Sequence, residues 1–154
     1  MMGHVSEVRL HPPECLNHVG HVAHELMHVL GFVHEHQRLD RDIYINIHWD
    51  RIKRGHESNF CPVVVDSLGM PYDAASVLHY GPWAFAKGLE PTITARHANL
   101  YGIYLMGQRR NLSRTDIARV NRLYGCEGYY MGDDLPGTVP YNIWNKTRKQ
   151  QFTH

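Results

Sequence analysis

The segment from residue 24 to residue 36 reads HELMHVLGFVHEH, and its residue types and spacing point to metal-assisted hydrolysis. His24 and His28 stand four residues apart. On a helix their imidazoles project from one face, one turn apart, and can share a tetrahedral zinc ion. Glu25 flanks that face, where a carboxylate can take a proton from water at the metal while both histidines stay free to ligate. Gly31 follows His28 by three residues, and His34 follows Gly31 by three more. If the glycine reverses the chain, His34 returns to supply a third nitrogen, and the fourth position that a catalytic zinc site needs stays open. A bare HExxH also arises in ordinary solvated helices. Three ligands, a base and a turn glycine together are far more specific, and they carry the expectation of one catalytic zinc.

These side chains need elements to hold them. Residues 19–30, VGHVAHELMHVL, place Val22, Ala23, Leu26, Val29 and Leu30 at three- and four-residue spacings, which predicts an amphipathic helix with that stripe as its apolar face. Gly31 suits the left-handed conformation that closes many helices, and the polar FVHEHQRLDRD cannot continue the stripe. Residues 43–47 (IYINI) and 61–65 (CPVVV) predict short extended segments. Pro71, Gly81, Pro82, Gly88 and Pro91 break residues 69–91 into turns. Ser113 followed by Asp116 predicts a capping box, with Ile117, Val120, Leu123 and Tyr124 as the apolar face of a second helix. Beyond Cys126 the tail has neither helical nor strand periodicity, which predicts an irregular extension over residues 127–154.

Bulk properties narrow the class. A chain of 154 residues with 43% hydrophobic residues suits one globular domain. A net charge of +1, with the two signs interspersed, leaves no electrostatic footprint for nucleic acid or an anionic membrane. No apolar run approaches the roughly 18 residues of a spanning helix, and the opening residues lack the apolar core of a signal peptide. Cys15, Cys61 and Cys126 form no CxxC pair, which argues against a cysteine-rich structural zinc site. Among the 13 histidines, His4, His11, His48, His56 and His154 have no ligand spacing and read as ordinary imidazoles.

The extended string HExxHxxGFxHE resembles the signature of the astacin family, a branch of the metzincin zinc peptidases, and the charged HQRLDRD after it is similar too. Downstream, HESNF, YDAASVLHYG with AFA, TIT, IYLMGQR and LSRTDIARVNRLYGC follow in the family's order. The likeness covers about residues 5–126. It implies an α+β, metzincin-like catalytic domain over residues 1–126, with the zinc helix followed by a loop-rich C-terminal subdomain. It further implies one zinc on His24, His28 and His34, Glu25 as general base, and Tyr80 as an extra ligand that stabilises the transition state. Glu35 matches an acidic residue that pairs with the amino terminus of mature members in a buried site. Arg96 matches a basic residue near the pocket after the scissile bond in the tolloid-like branch.

Two departures accompany the likeness. Leu78 stands where the family has a methionine beneath the metal, an apolar exchange of similar volume. Only 23 residues precede His24, so most of the family's upstream β-sheet subdomain is expected to be missing. Cys15 and Cys126 match disulfide-bonded family positions whose partners would lie in that segment; Cys61 has no counterpart. The implied function is a secreted zinc endopeptidase acting on proteins or peptides, and the sequons at Asn111 and Asn145 agree with export. The alternative is a catalytically impaired, zinc-retaining interaction or matrix protein of the same fold.

Overall fold

The computed structural model describes Pro12, Leu16, residues 18–97, Leu100 and residues 102–151. Cys15 lies outside the described residues. The first helix, α1, spans Val19–Val29, and the chain leaves it through Gly31 at φ +89°, a left-handed turn that suits glycine.

The buried face of α1 differs from the expected stripe. Gly20, His24 and Met27 face inward, whereas Leu26 and Val29 are 50% and 45% exposed. The reason lies at Gly20, where a Cβ would stand 2.0 Å from the carbonyl carbon of Arg109. The backbone at 109 can approach only the side of the helix that carries the glycine, and that side also carries His24 and Met27 one and two turns on. Leu26, with Leu30, Leu112, Ile117 and Val120, instead lines a groove between α1 and the second helix.

After α1 the chain runs through short 3₁₀ turns at Glu35–Gln37, Arg41–Ile43, Trp49–Arg51 and Glu57–Phe60. The described residues hold one two-stranded antiparallel sheet, β1 (Ile45–Ile47) on β2 (Ile93–Ala95), with Asn46 opposite Thr94. The extended segment expected from residue 43 thus begins at Ile45, because the preceding residues turn. The run at 61–65 is not a strand. Val63 makes a single parallel bridge to Arg38, and Val64 is 84% exposed. Pro62 has no N–H to give a ladder, and β-branching alone makes no strand without a partner.

Among the described residues three apolar clusters fill the interior. Ile45, Ile52, Phe60, Tyr72, Ala74 and Ile93 form one. Met27, Val77 and Leu78 form another beneath α1. Leu68, Met70, Ala118 and Trp144 form the third.

The second helix, α2, spans Arg114–Tyr124 with the expected capping box, Ser113 Oγ accepting from the Asp116 amide and the Asp116 carboxylate accepting from the Ser113 amide. Its inward face corrects the expected apolar stripe. Asp116, Arg119 and Arg122 are buried, while Ile117 and Tyr124 are 39% and 55% exposed. Each buried charge has a fixed set of partners, the condition under which burial of charge is tolerated.

The tail beyond Cys126 is also corrected. A third helix, α3, spans Tyr141–Gln151 and inserts Trp144 into the core. Arg122 of α2 gathers this segment, donating to the carbonyls of Met131 and Val139 and to the Asp133 carboxylate. Trp144, the scattered Tyr130, Leu135 and Tyr141 beside it and the polar bonds of Arg122 do the anchoring, so no apolar period announces it. No helix among the described residues is long and apolar enough to cross a membrane.

Candidate metal centre

The turn after α1 brings His34 back against His24 and His28. The Nε2 atoms of His28 and His24 are 3.1 Å apart, and those of His28 and His34 are 3.2 Å apart. The other ring nitrogens are occupied. His24 Nδ1 donates to the Val77 carbonyl and His28 Nδ1 to the Phe32 carbonyl, each at 2.8 Å, and the Gln37 side chain bonds His34. A carbonyl only accepts, so the protons of His24 and His28 sit on Nδ1 and bare Nε2 lone pairs face one another. Such a cluster is repulsive unless a cation shares it.

Zinc–nitrogen bonds of about 2.0–2.1 Å at tetrahedral angles put ligand nitrogens about 3.3 Å apart, close to the separations seen. Electrostatics favours the same state. Burial, and then the neighbouring imidazoles, push His34 down to about 3, and burial lowers His24 against the pull of the Val77 carbonyl. Both rings are therefore neutral at physiological pH, as ligands must be. His24, His28 and His34 form a group able to hold a metal ion.

The loop at 76–80 orients this group from below. Asp116 accepts from Ser76 Oγ at 2.6 Å and from the Val77 amide at 2.9 Å, and Ser76 Oγ accepts from the Leu78 amide. The Val77 carbonyl that fixes the His24 tautomer is thus pinned to α2, an outer support of the kind that sets ligand geometry. Leu78, 2% exposed, packs with Met27 and Val77 at the floor.

Tyr80 ends the loop with its ring 4.6 Å from that of His34. Burial raises its phenol and the charge of Arg109 opposes the rise, so the hydroxyl remains a donor at neutral pH. Glu25 is exposed on α1, and its charge acts on His24 and on Arg109.

Two expected residues lie apart from this group. Arg96 is exposed, donating to Asn46 Oδ1 at 3.0 Å and to the Asp42 carbonyl at 2.7 Å, and none of its hydrogen bonds among the described residues reaches the histidines or Tyr80. Glu35 is 3% exposed, yet its partners are guanidinium groups of Arg38 and Arg119 and the Asp73 amide. Among the described residues Cys61 and Cys126 are unbridged.

The residue that sequence reasoning passed over is Arg109. Its positive charge opposes protonation of His24 and His34 and interacts with Tyr80 and Glu25. It sits in the IYLMGQR segment, where nothing about its spacing distinguishes it from a solvated arginine.

A three-histidine centre on one helix and its return turn, within an α+β scaffold, defines the metzincin class. The model of the astacin peptidase family matches residues 1–125, and the chain belongs to that family. It is 50% identical over 115 residues to an astacin-like metalloendopeptidase of Mus musculus, covering 74% of this chain and 26% of that protein. It is 46% identical over 108 residues to human meprin A subunit beta, covering 68% and 15%. Against the low choriolytic enzyme of Oryzias latipes it is 43% identical over 129 residues, covering 82% and 46%.

Among solved structures it resembles High choriolytic enzyme 1, a hatching enzyme zinc-protease from the medaka fish Oryzias latipes. The TM-score is 0.65 at 41% identity, over 70% of this chain and 53% of that one. The chain thus spans between 15% and 46% of these curated relatives and about half of the solved one. The family and the fold class expected from the sequence are borne out.

Proposed function

We propose that the chain is the metal-binding part of a zinc endopeptidase that hydrolyses peptide bonds in protein or peptide substrates, with His24, His28 and His34 holding one zinc. The supporting observation is the trio of Nε2 atoms at 3.1 and 3.2 Å with the Nδ1 atoms of His24 and His28 tied to backbone carbonyls. When bound, the zinc supplies Lewis acidity toward the peptide carbonyl and lowers the pKa of water to about 7.

The protein's own groups do the rest. Glu25 accepts the proton of the attacking water and delivers it to the leaving amine. Tyr80 donates its hydroxyl to the oxyanion that develops on the carbonyl oxygen, an interaction made only as charge builds there. Secretion is part of this reading, supported by the family resemblance and by the exposed sequon residue Asn111.

The test is cleavage of a quenched generic peptide before and after treatment with a chelator. We expect turnover that is lost with the metal and restored by stoichiometric zinc. Bound zinc without cleavage would favour the non-catalytic interaction protein instead.

Substrate choice adds a second test. Arg96 and Arg109 are the candidate cations for an acidic side chain next to the cleaved bond, and such a charge pair aids discrimination. Profiling with a peptide library should show a preference for Asp or Glu there, weakened several-fold in Arg96→Ala, in Arg109→Ala, or in both. Arg109 donates to the His79 carbonyl at 3.2 Å, one residue from Tyr80, which favours the larger effect at 109. A library without acidic bias rules out both roles.

A further inference from the structure

We infer that Tyr72 and His79 act as a positioning pair for Tyr80, fixing the backbone from which its phenol reaches the metal centre. The inference rests on the reading of Tyr80 given above. Residues 72–79 are all buried, and Tyr80 is the first to emerge. His79 is wholly enclosed at 0% exposure, and both its ring nitrogens are engaged. Nδ1 donates to the Tyr80 carbonyl at 2.6 Å, and Nε2 meets the Tyr72 hydroxyl at 2.6 Å.

A carbonyl can only accept, so Nδ1 carries the proton and Nε2 accepts from the Tyr72 hydroxyl. Tyr72 therefore selects the one tautomer of His79 that can hold the Tyr80 peptide. Tyr72 is itself fixed, its ring stacked on Tyr44 at 4.7 Å and 8°, with the Arg38 guanidinium 5.6 Å over its ring. Arg109 adds a bond from its guanidinium to the His79 carbonyl at 3.2 Å.

The phenol of Tyr80 has a different set of contacts. His36 stacks on its ring at 3.9 Å, and Phe60 and Phe85 lie 5.8 Å away. Among the described residues its hydroxyl has no hydrogen-bond partner in the protein. Among the described residues the phenol is held by its backbone and by the surrounding rings. A hydroxyl meant for a developing oxyanion must be placed to within a fraction of an ångström, and the Tyr72–His79 pair is the device that places its anchor.

The test is a double-mutant cycle on kcat and KM with a quenched peptide, zinc content being measured for every protein. Tyr72→Phe removes one hydroxyl and keeps the stack on Tyr44. It should lower kcat about 3- to 10-fold with KM and zinc nearly unchanged, and it should have no further effect in a Tyr80→Phe background. His79→Leu should behave the same way, whereas His79→Asn, whose amide nitrogen can replace Nδ1, should recover most of the loss. Tyr80→Phe alone should lower kcat with little change in KM; if it retains full kcat, the reading of Tyr80 fails. If Tyr80→Phe is impaired but Tyr72→Phe is not, or if Tyr72→Phe costs the same factor in both backgrounds, the pair serves only the fold and the inference is overturned. Should His79→Leu fail to fold, Tyr72→Phe and His79→Asn still decide the question.

Discussion

Glu25→Ala is expected to lower kcat by about 10²- to 10⁴-fold while the protein keeps its full complement of zinc and its melting temperature. A positioned acid–base group contributes about that factor, and the side chain is not one of the three nitrogen donors. Glu25 is exposed on α1, away from the buried face of Gly20, His24 and Met27, so truncating it opens no cavity and orphans no buried partner. Substitutions of that kind usually shift stability by no more than about 0.5 kcal/mol. Loss of activity without loss of metal or fold is therefore the signature. A Glu25→Ala protein with wild-type turnover would contradict the mechanism, and one that loses zinc would show that the carboxylate helps hold the metal.

The largest expected change in stability comes from Glu35, ten residues further on. Its carboxylate bridges Arg38 and Arg119, two side chains only 7% exposed, and also accepts from the Asp73 amide. Arg38 keeps Asp40 and backbone carbonyls if Glu35 is removed, but Arg119 is left donating to the Pro71 carbonyl. Glu35→Ala thus leaves a buried guanidinium without its bonded carboxylate, with only the unbonded charges of Asp116 and Asp73 acting on it, a loss of about 3–5 kcal/mol measured by chemical or thermal unfolding. A change under about 1 kcal/mol would show that the cluster relaxes into water.

The same cluster predicts a pH dependence. Burial raises the Glu35 carboxyl, but the charge and hydrogen bonds of Arg119, then the charge of Arg38, outweigh it and hold the pKa below the ordinary 4.5. A carboxylate lowered by folding adds stability above its unfolded pKa and loses it as the pH falls through the folded value. The stability advantage of the parent protein over Glu35→Gln should therefore be full above about pH 5 and shrink below about pH 4.5. An advantage that stays constant down to about pH 3 would mean that Glu35 is not held as a carboxylate.

The grouping of the three histidines was legible because its logic is local. His24 and His28 lie one helical turn apart, and Gly31 adopts the positive φ that returns His34, so spacing alone carries the geometry. The capping box at Ser113 and Asp116 was legible for the same reason. What the pattern could not show was which face of each helix turns inward. In α1 the choice is made by a backbone approach at Gly20, and in α2 by buried charges whose partners lie up to 84 residues away in sequence. Reading apolar residues as the inner face fails where ionic and backbone contacts dominate the interior. Arg109 was hidden likewise, since its electrostatic coupling to Glu25 and Tyr80 comes from the fold and not from spacing. The end of the chain was not legible because Trp144, a few scattered neighbours (Tyr130, Leu135 and Tyr141) and the reach of Arg122 anchor it without a regular period.

Metal content after dialysis shows whether three imidazoles of this chain hold one catalytic zinc. The parent protein should retain one zinc per chain, and His28→Ala, left with two nitrogen donors and an open, weak site, should retain almost none. Stoichiometric zinc in dialysed His28→Ala would contradict the ligand assignment and, with it, the reading of this chain's chemistry.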